Sequence, residues 1–206
     1  MKGGRPSETA LLIAKSTVAT SADARVGKFI TVEAAEACAW FLKDHLLLGR
    51  LRLGLFRSAW YQVFQRILES QIIPGIQLHY ALRKLQLEQF ANASLKRSAR
   101  QVIVLGAGFD TLCLRLASQY RHVSFIEIDH PNTQALKVQS LSKRGMRPDN
   151  LNFISNDFME KDLSAVLQDS EGIDKKMPTL IIAEGVLMYL SEQVVENLFN
   201  TFRDTF

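Results

Sequence analysis

Apolar residues recur at intervals of three and four through residues 7–98, as in Ala10, Ile13, Ala14, Thr17 and Val18, and again in Leu55, Ala59, Val63, Phe64 and Ile67. That period predicts a succession of helices. Ser7 followed by Glu8 is a cap for the first of them, Gly27 and Gly49 punctuate the run, and Pro74-Gly75 breaks it before a last helix from Ile76 to Asn92. From Gln101 the pattern changes. Short β-branched runs at Val102–Leu105, Val123–Ile128, Asn152–Ser155 and Thr179–Ala183 read as strands, and helical stretches follow them at Thr111–Ser118, Pro131–Arg144, Asp162–Gln168 and Ser191–Phe202. Strand alternating with helix predicts a parallel sheet with helices packed on it, so the chain divides near Arg100 into a helical section, residues 1–100, and an α/β core, residues 101–206.

Composition narrows the class. With 206 residues and 47% hydrophobic content the chain can bury a substantial core. No apolar run approaches the roughly 18 residues that cross a bilayer, and Met1–Pro6 lacks the apolar stretch of a secretion signal, so a cytoplasmic location and no membrane partner are expected. Cys38 and Cys113 sit in apolar helical patterns and read as buried free thiols. His45, His79, His122 and His130 are isolated, and no metal-ligand spacing is present. Charge is uneven: residues 1–100 carry 15 Lys and Arg against 7 Asp and Glu, whereas residues 101–206 carry 10 against 14. The cations are scattered and lack interleaved aromatics, which argues against nucleic-acid binding and mildly favours an acidic small-molecule or protein partner. RLRLGLFRSAW has the pattern of a membrane-surface helix, but the expectation is that its apolar stripe enters the core, together with Trp40, Phe41, Phe56, Trp60, Tyr61 and Phe64.

The chemistry concentrates in two places. VIVLGAGFDT is a strand breaking into Gly106 and Gly108, the first allowing a sharp turn and the second a close backbone approach to a ligand. A dinucleotide fingerprint would place its third glycine at position 111, which is Thr111, preceded by the acid Asp110. A pyrophosphate there would meet a carboxylate, so the loop suits a cofactor without phosphates and with a positive centre. In FIEIDHP, Glu127 and Asp129 share one face of the second strand, and Asp129 at its tip is placed to accept both hydroxyls of a ribose. Two blander readings stand beside these, since a GxG turn also serves as plain structure and an Asp before a helix also serves as its cap.

LGAGFDT, FIEIDHP, SNDF and AEGVLMYLS, in this order, resemble the leucine carboxyl methyltransferase family of S-adenosylmethionine-dependent O-methyltransferases. The resemblance runs from the SETALLIA stretch onward. It implies a class I methyltransferase (Rossmann-like) α/β fold of strand order 3-2-1-4-5-7-6 with a helical N-terminal cap, and S-adenosyl-L-methionine as cofactor. It assigns Gly106, Gly108 and Arg83 to the methionine part, Asp129 to the ribose, Asp157 and Phe158 to the adenine, Glu184 to the acid after strand four and Tyr189 to a position lining the cofactor site. A methionine moiety carries both charges, which Arg83 and Glu184 would match.

Methyl transfer to a carboxylate, already ionised at neutral pH, requires no strong base, in keeping with the missing Ser/His/Asp pattern; a hydroxyl acceptor would require one. The chain stops at Phe206, one helix after strand four, so the C-terminal strands are expected to be absent from it and the open sheet edge to invite dimerisation. Two alternatives follow: a truncated non-catalytic remnant that binds cofactor or a partner, and an NAD-dependent oxidoreductase, against which Asp110 and Thr111 argue.

Overall fold

The computed structural model describes residues 7–46, 48–158, 163–170 and 172–206. Met1–Pro6 and the Asp162 start of the third α/β-section helix lie outside them. Two compact units emerge, one of residues 7–92 with Phe109–Leu112, the other of Ala93–Gly108 with Cys113–Phe206.

The first unit holds α1 (Glu8–Ser21), α2 (Val32–His45), α3 (Gly49–Arg57), α4 (Ala59–Ile72) and most of α5 (Ile76–Arg97). Hydroxyl caps start three of these helices: Ser7 accepts from the Ala10 N–H, Thr31 from Ala34 and Ser58 from Tyr61, each satisfying an amide that the first turn leaves unpaired. Helix α5 runs to Arg97 rather than stopping at Asn92, because Ala91 and Leu95 carry its buried face on at a spacing of four. Ile30, Ala34, Ala35, Tyr80 and Ala81 form a core here. The Tyr80 hydroxyl is tied to Thr17 Oγ1 at 2.6 Å, and burial pushes it up to about 12.

The expectation of core packing for the aromatic cluster holds for Phe41 and Phe56 but fails for Trp60 and Phe64, which are 85% and 58% exposed. The stripe Leu55, Val63 and Ile67 is exposed with them, as is Leu51. The reason is the opposite face of α4. Gln62 points inward instead and donates to the carbonyls of Ala19 and Phe56, which fixes the rotation of the helix and turns the apolar stripe outward.

In the second unit the strands are β1 (Gln101–Leu105), β2 (Ser124–Asp129), β3 (Leu151–Ser155) and β4 (Thr179–Ala183), all parallel, in the order β3-β2-β1-β4. This is the α/β sheet expected from the alternating pattern, with β4 at one edge among the described residues. The connecting helices are α6 (Leu112–Gln119), α7 (Pro131–Ser142) and α8 (Leu163–Asp169), and α9 (Glu192–Thr205) follows β4. The register pairs Ile103 with Ile126 and Leu105 with Ile128, so these four share one face, where Leu163, Leu167 and Leu198 cover them. Glu127 belongs to the opposite face and meets Lys137 of α7, which makes the sheet a two-sided, doubly wound one. Both cysteines are buried, and no disulfide joins them. Among the described residues no helix is long and apolar enough to cross a membrane.

Candidate functional site

The carboxyl ends of four parallel strands meet along one edge, where open α/β sheets bind ligands. At the end of β1, Gly106 adopts φ +63°, and a Cβ there would stand 2.8 Å from Val186 Cβ and Cγ2, so both conformation and space require glycine. Its N–H donates to the Ile128 carbonyl at 2.8 Å, which binds the turn to the end of β2. Gly108, also left-handed at φ +51°, turns its N–H onto Asp129 Oδ2. The other oxygen, Oδ1, accepts the His130 N–H at 2.6 Å. Burial pushes the Asp129 carboxyl above the ordinary carboxylate range, and the amides of His130 and Gly108 offset part of that rise.

His130 extends this chain of contacts. It is the N-cap of α7, its Nδ1 accepting from Asn132 N–H at 3.2 Å ahead of Pro131 at the first helical position. With Nδ1 an acceptor, Nε2 is left as the donor, and it faces Asp157 Oδ2 at 3.3 Å. The glycine loop, the tip of β2 and the segment after β3 are thereby joined through Gly108, Asp129, His130 and Asp157. Phe158, next in the chain, packs half-buried against the apolar core.

The remaining sequence-assigned residues are placed differently. Parallel pairing of Leu105 with Ala183 puts Glu184 beside Gly106 in register, half-buried, at the same sheet edge. Tyr189, in a short 3-10 turn spanning Leu187–Tyr189, is 59% exposed. Arg83 lies in the other unit, exposed on α5, its guanidinium 5.8 Å from the centre of the Tyr80 ring. Asp110 pairs with Lys84 and caps α6, its Oδ1 taking the Leu112 N–H at 2.6 Å. An acid thus occupies the amide that a pyrophosphate would use in a dinucleotide site.

Beneath the rim lies a buried scaffold that sequence reasoning missed. Lys137 and Glu127, 1% and 2% exposed, form an ion pair at 2.6 Å between α7 and β2. Gln134 of the same helix donates to the carbonyls of Glu127 and Ile154 and accepts from Ser155 Oγ, clamping the ends of β2 and β3 together. A lysine and a glutamine at a spacing of three on a helix packed against a strand carrying a glutamate were the available signal. His130 was read as isolated because its partner is 27 positions away in the chain.

A nucleoside fits this rim on two observations. The Asp129 carboxylate has about four acceptor positions, of which the two backbone amides use two, and the side chain stays partly open to solvent, so acceptor capacity remains for a pair of hydroxyls. Close by, the buried side chain of Asn156 finds no hydrogen-bond partner among the described residues.

A family model described as leucine carboxyl methyltransferase matches residues 34–203. Among curated proteins, the Bacillus subtilis protein YktD, provisionally named an S-adenosyl-L-methionine-dependent methyltransferase, is 32% identical over 118 residues, covering 55% of this chain and 38% of YktD. A Mycobacterium marinum protein, provisionally named in the same way, is 29% identical over 182 residues, covering 84% of this chain and 60% of its own length. The chain therefore spans between 38% and 60% of the length of these relatives. Of solved structures, an O-methyltransferase family protein from Burkholderia thailandensis superposes with a TM-score of 0.42 at 11% identity, covering 89% of this chain and 55% of that one.

Proposed function

Because the chain belongs to the leucine carboxyl methyltransferase family, we propose that it carries the S-adenosylmethionine-binding part of an O-methyltransferase whose acceptor is a carboxylate of a small molecule or of a protein C-terminus. The observation that carries this reading is the Asp129 carboxylate, held by the amides of Gly108 and His130 at the ends of parallel strands. When bound, the cofactor supplies a methyl group activated on a sulfonium.

Each residue has a task in this reading. Asp129 accepts the ribose hydroxyls. Gly106 and Gly108 shape the turn beside the methionine part, with Glu184 next to it in register as an acceptor for the ammonium. Arg83 is assigned to the methionine carboxylate by the family resemblance alone. Asp157, oriented by His130 Nε2, and the ring of Phe158 receive the adenine. Tyr189, in the short turn after β4, lines the cofactor site. A carboxylate acceptor is ionised at neutral pH, so the protein's contribution is alignment and exclusion of water rather than proton removal. The positive balance of residues 1–100 favours an acidic acceptor. Unbridged buried thiols are in keeping with the cytoplasm.

Titration calorimetry with S-adenosylhomocysteine and, in parallel, with NAD tests the cofactor assignment. Binding of the first and not of the second is expected, and the reverse overturns it. Methyl-labelled S-adenosylmethionine, offered with peptides bearing a free C-terminal carboxylate and with small carboxylic acids, tests the acceptor. Methyl esters release volatile methanol in mild base, so label that resists base refutes a carboxylate acceptor.

A further inference from the structure

Asn156 stands between β3 and Asp157 and is 1% exposed, yet neither its Nδ2 nor its Oδ1 meets a hydrogen-bond partner among the described residues. An amide left in this way forfeits its hydration without return, and native interiors keep such groups only for a reason. The chain is not careless with buried amides elsewhere. Gln134 satisfies both ends of its side chain, through the Glu127 and Ile154 carbonyls and Ser155 Oγ. Asn150 donates to the carbonyls of Ala117, Tyr120 and Val123, and Gln62 to those of Ala19 and Phe56. Asn156 departs from that habit at the rim described above: its own backbone N–H donates to the Asp129 carbonyl at 2.8 Å, and the next residue is the Asp157 that His130 holds.

We infer that the Asn156 side chain is a ligand-contacting group, its amide making hydrogen bonds to the adenosine portion of the cofactor. This rests on the proposed cofactor reading and adds to it a residue with a different capability. The Asp129 and Asp157 carboxylates, when ionised, only accept. An amide both donates and accepts, as do the ribose hydroxyls and the polar edge of adenine, so Asn156 supplies the donor that the two acids lack. The unpaired state in the free protein is a local cost to folding that ligand binding relieves, and selectivity follows from it, because a ligand without the matching polar edge leaves the amide unpaired.

The replacement Asn156→Leu, close in volume and apolar, separates a binding role from a structural one. The dissociation constant for S-adenosylhomocysteine is expected to rise at least tenfold, and that for 5′-methylthioadenosine by the same factor, since both carry the adenosine portion. The thermal midpoint of the ligand-free variant is expected to equal or exceed that of the wild type, because two unsatisfied polar atoms have been removed. Asn156→Ala, read in the same two assays, covers a leucine that does not fit. Affinity within twofold of the wild type in both variants overturns the inference, as does a lower ligand-free midpoint with unchanged affinity, which would mark the amide as structural. A loss confined to S-adenosylhomocysteine overturns it too, by placing the contact on the amino-acid portion. Failure of the wild type to bind S-adenosylhomocysteine sinks the cofactor reading itself, and this inference with it.

Discussion

Replacing Asp129 by asparagine keeps the shape of the side chain and removes its charge, which isolates what the carboxylate does. In the structure each carboxylate oxygen already holds one backbone amide, from Gly108 on Oδ2 and from His130 on Oδ1. An asparagine has one acceptor oxygen and one donating nitrogen, so it can serve one of those amides and must set its own N–H groups against the other. It also offers a single neutral acceptor where the ribose needs two charged ones. A hydrogen bond to a charged group contributes about 1.5–3 kcal/mol net, and losing the equivalent of one such bond corresponds to roughly a ten- to hundredfold weaker complex. Calorimetric titration with S-adenosylhomocysteine between pH 4.5 and 8 reads both the loss and its origin. Burial holds the Asp129 carboxyl above the ordinary range, so the ionised form that binds is lost at a higher pH than for an exposed aspartate. Wild-type affinity should fall as pH is lowered through that raised value, while the Asp129→Asn variant lacks this component, and the two curves converge in acid. The sign for stability is opposite. A raised folded-state pKa means that the folded protein holds the proton more tightly, so this contribution to stability is present below the unfolded value and is lost as pH rises through the folded one. Equal affinities at pH 7.5, or a constant ratio of affinities across the whole range, would refute the reasoning.

Two further predictions concern the scaffold. Lys137→Met leaves Glu127 buried without its partner and should destabilise the protein by about 3–5 kcal/mol in urea unfolding at neutral pH, whereas the double change Lys137→Met/Glu127→Leu should recover most of that loss; a double variant no more stable than the single one contradicts it. Gly106→Ala forces a side chain into the left-handed region, costing about 1–2 kcal/mol, and drives its Cβ against Val186, so it should lower the thermal midpoint more than Gly185→Ala, where φ is +66° but nothing lies within 4 Å; equal losses would show that the contact with Val186 is immaterial.

Much of the α/β section was legible because its signals are local. Thr179–Ala183 was bounded correctly by its apolar run, and the other three strands differ from their expected limits by a residue or so at each end. Ser7, Pro74-Gly75 and the His130-Pro131 start of α7 acted as punctuation through caps and missing amides that need no tertiary partner. The orientation of α4 was not legible. Its stripe of Val63, Phe64 and Ile67 has a helical period, but period alone gives a stripe and not the direction it faces, and the polar Gln62 won the interior by finding two carbonyls.

The candidate site divides along the same line. By itself the sequence determined the glycine turn, the acid at the tip of β2 and the parallel direction of the strands, since each follows from turn chemistry and from the alternation of strand and helix, while the strand order was implied by the family resemblance. Only the tertiary structure decided which groups those residues meet: Gly108 on Asp129, His130 on Asp157, Lys137 under Glu127, and a buried Asn156 side chain that meets no hydrogen-bond partner among the described residues. Those pairings span from 10 to 27 positions of chain, and no local periodicity encodes them. They arise when packing of helices on both faces of the sheet brings distant polar groups into a medium where each must find a partner.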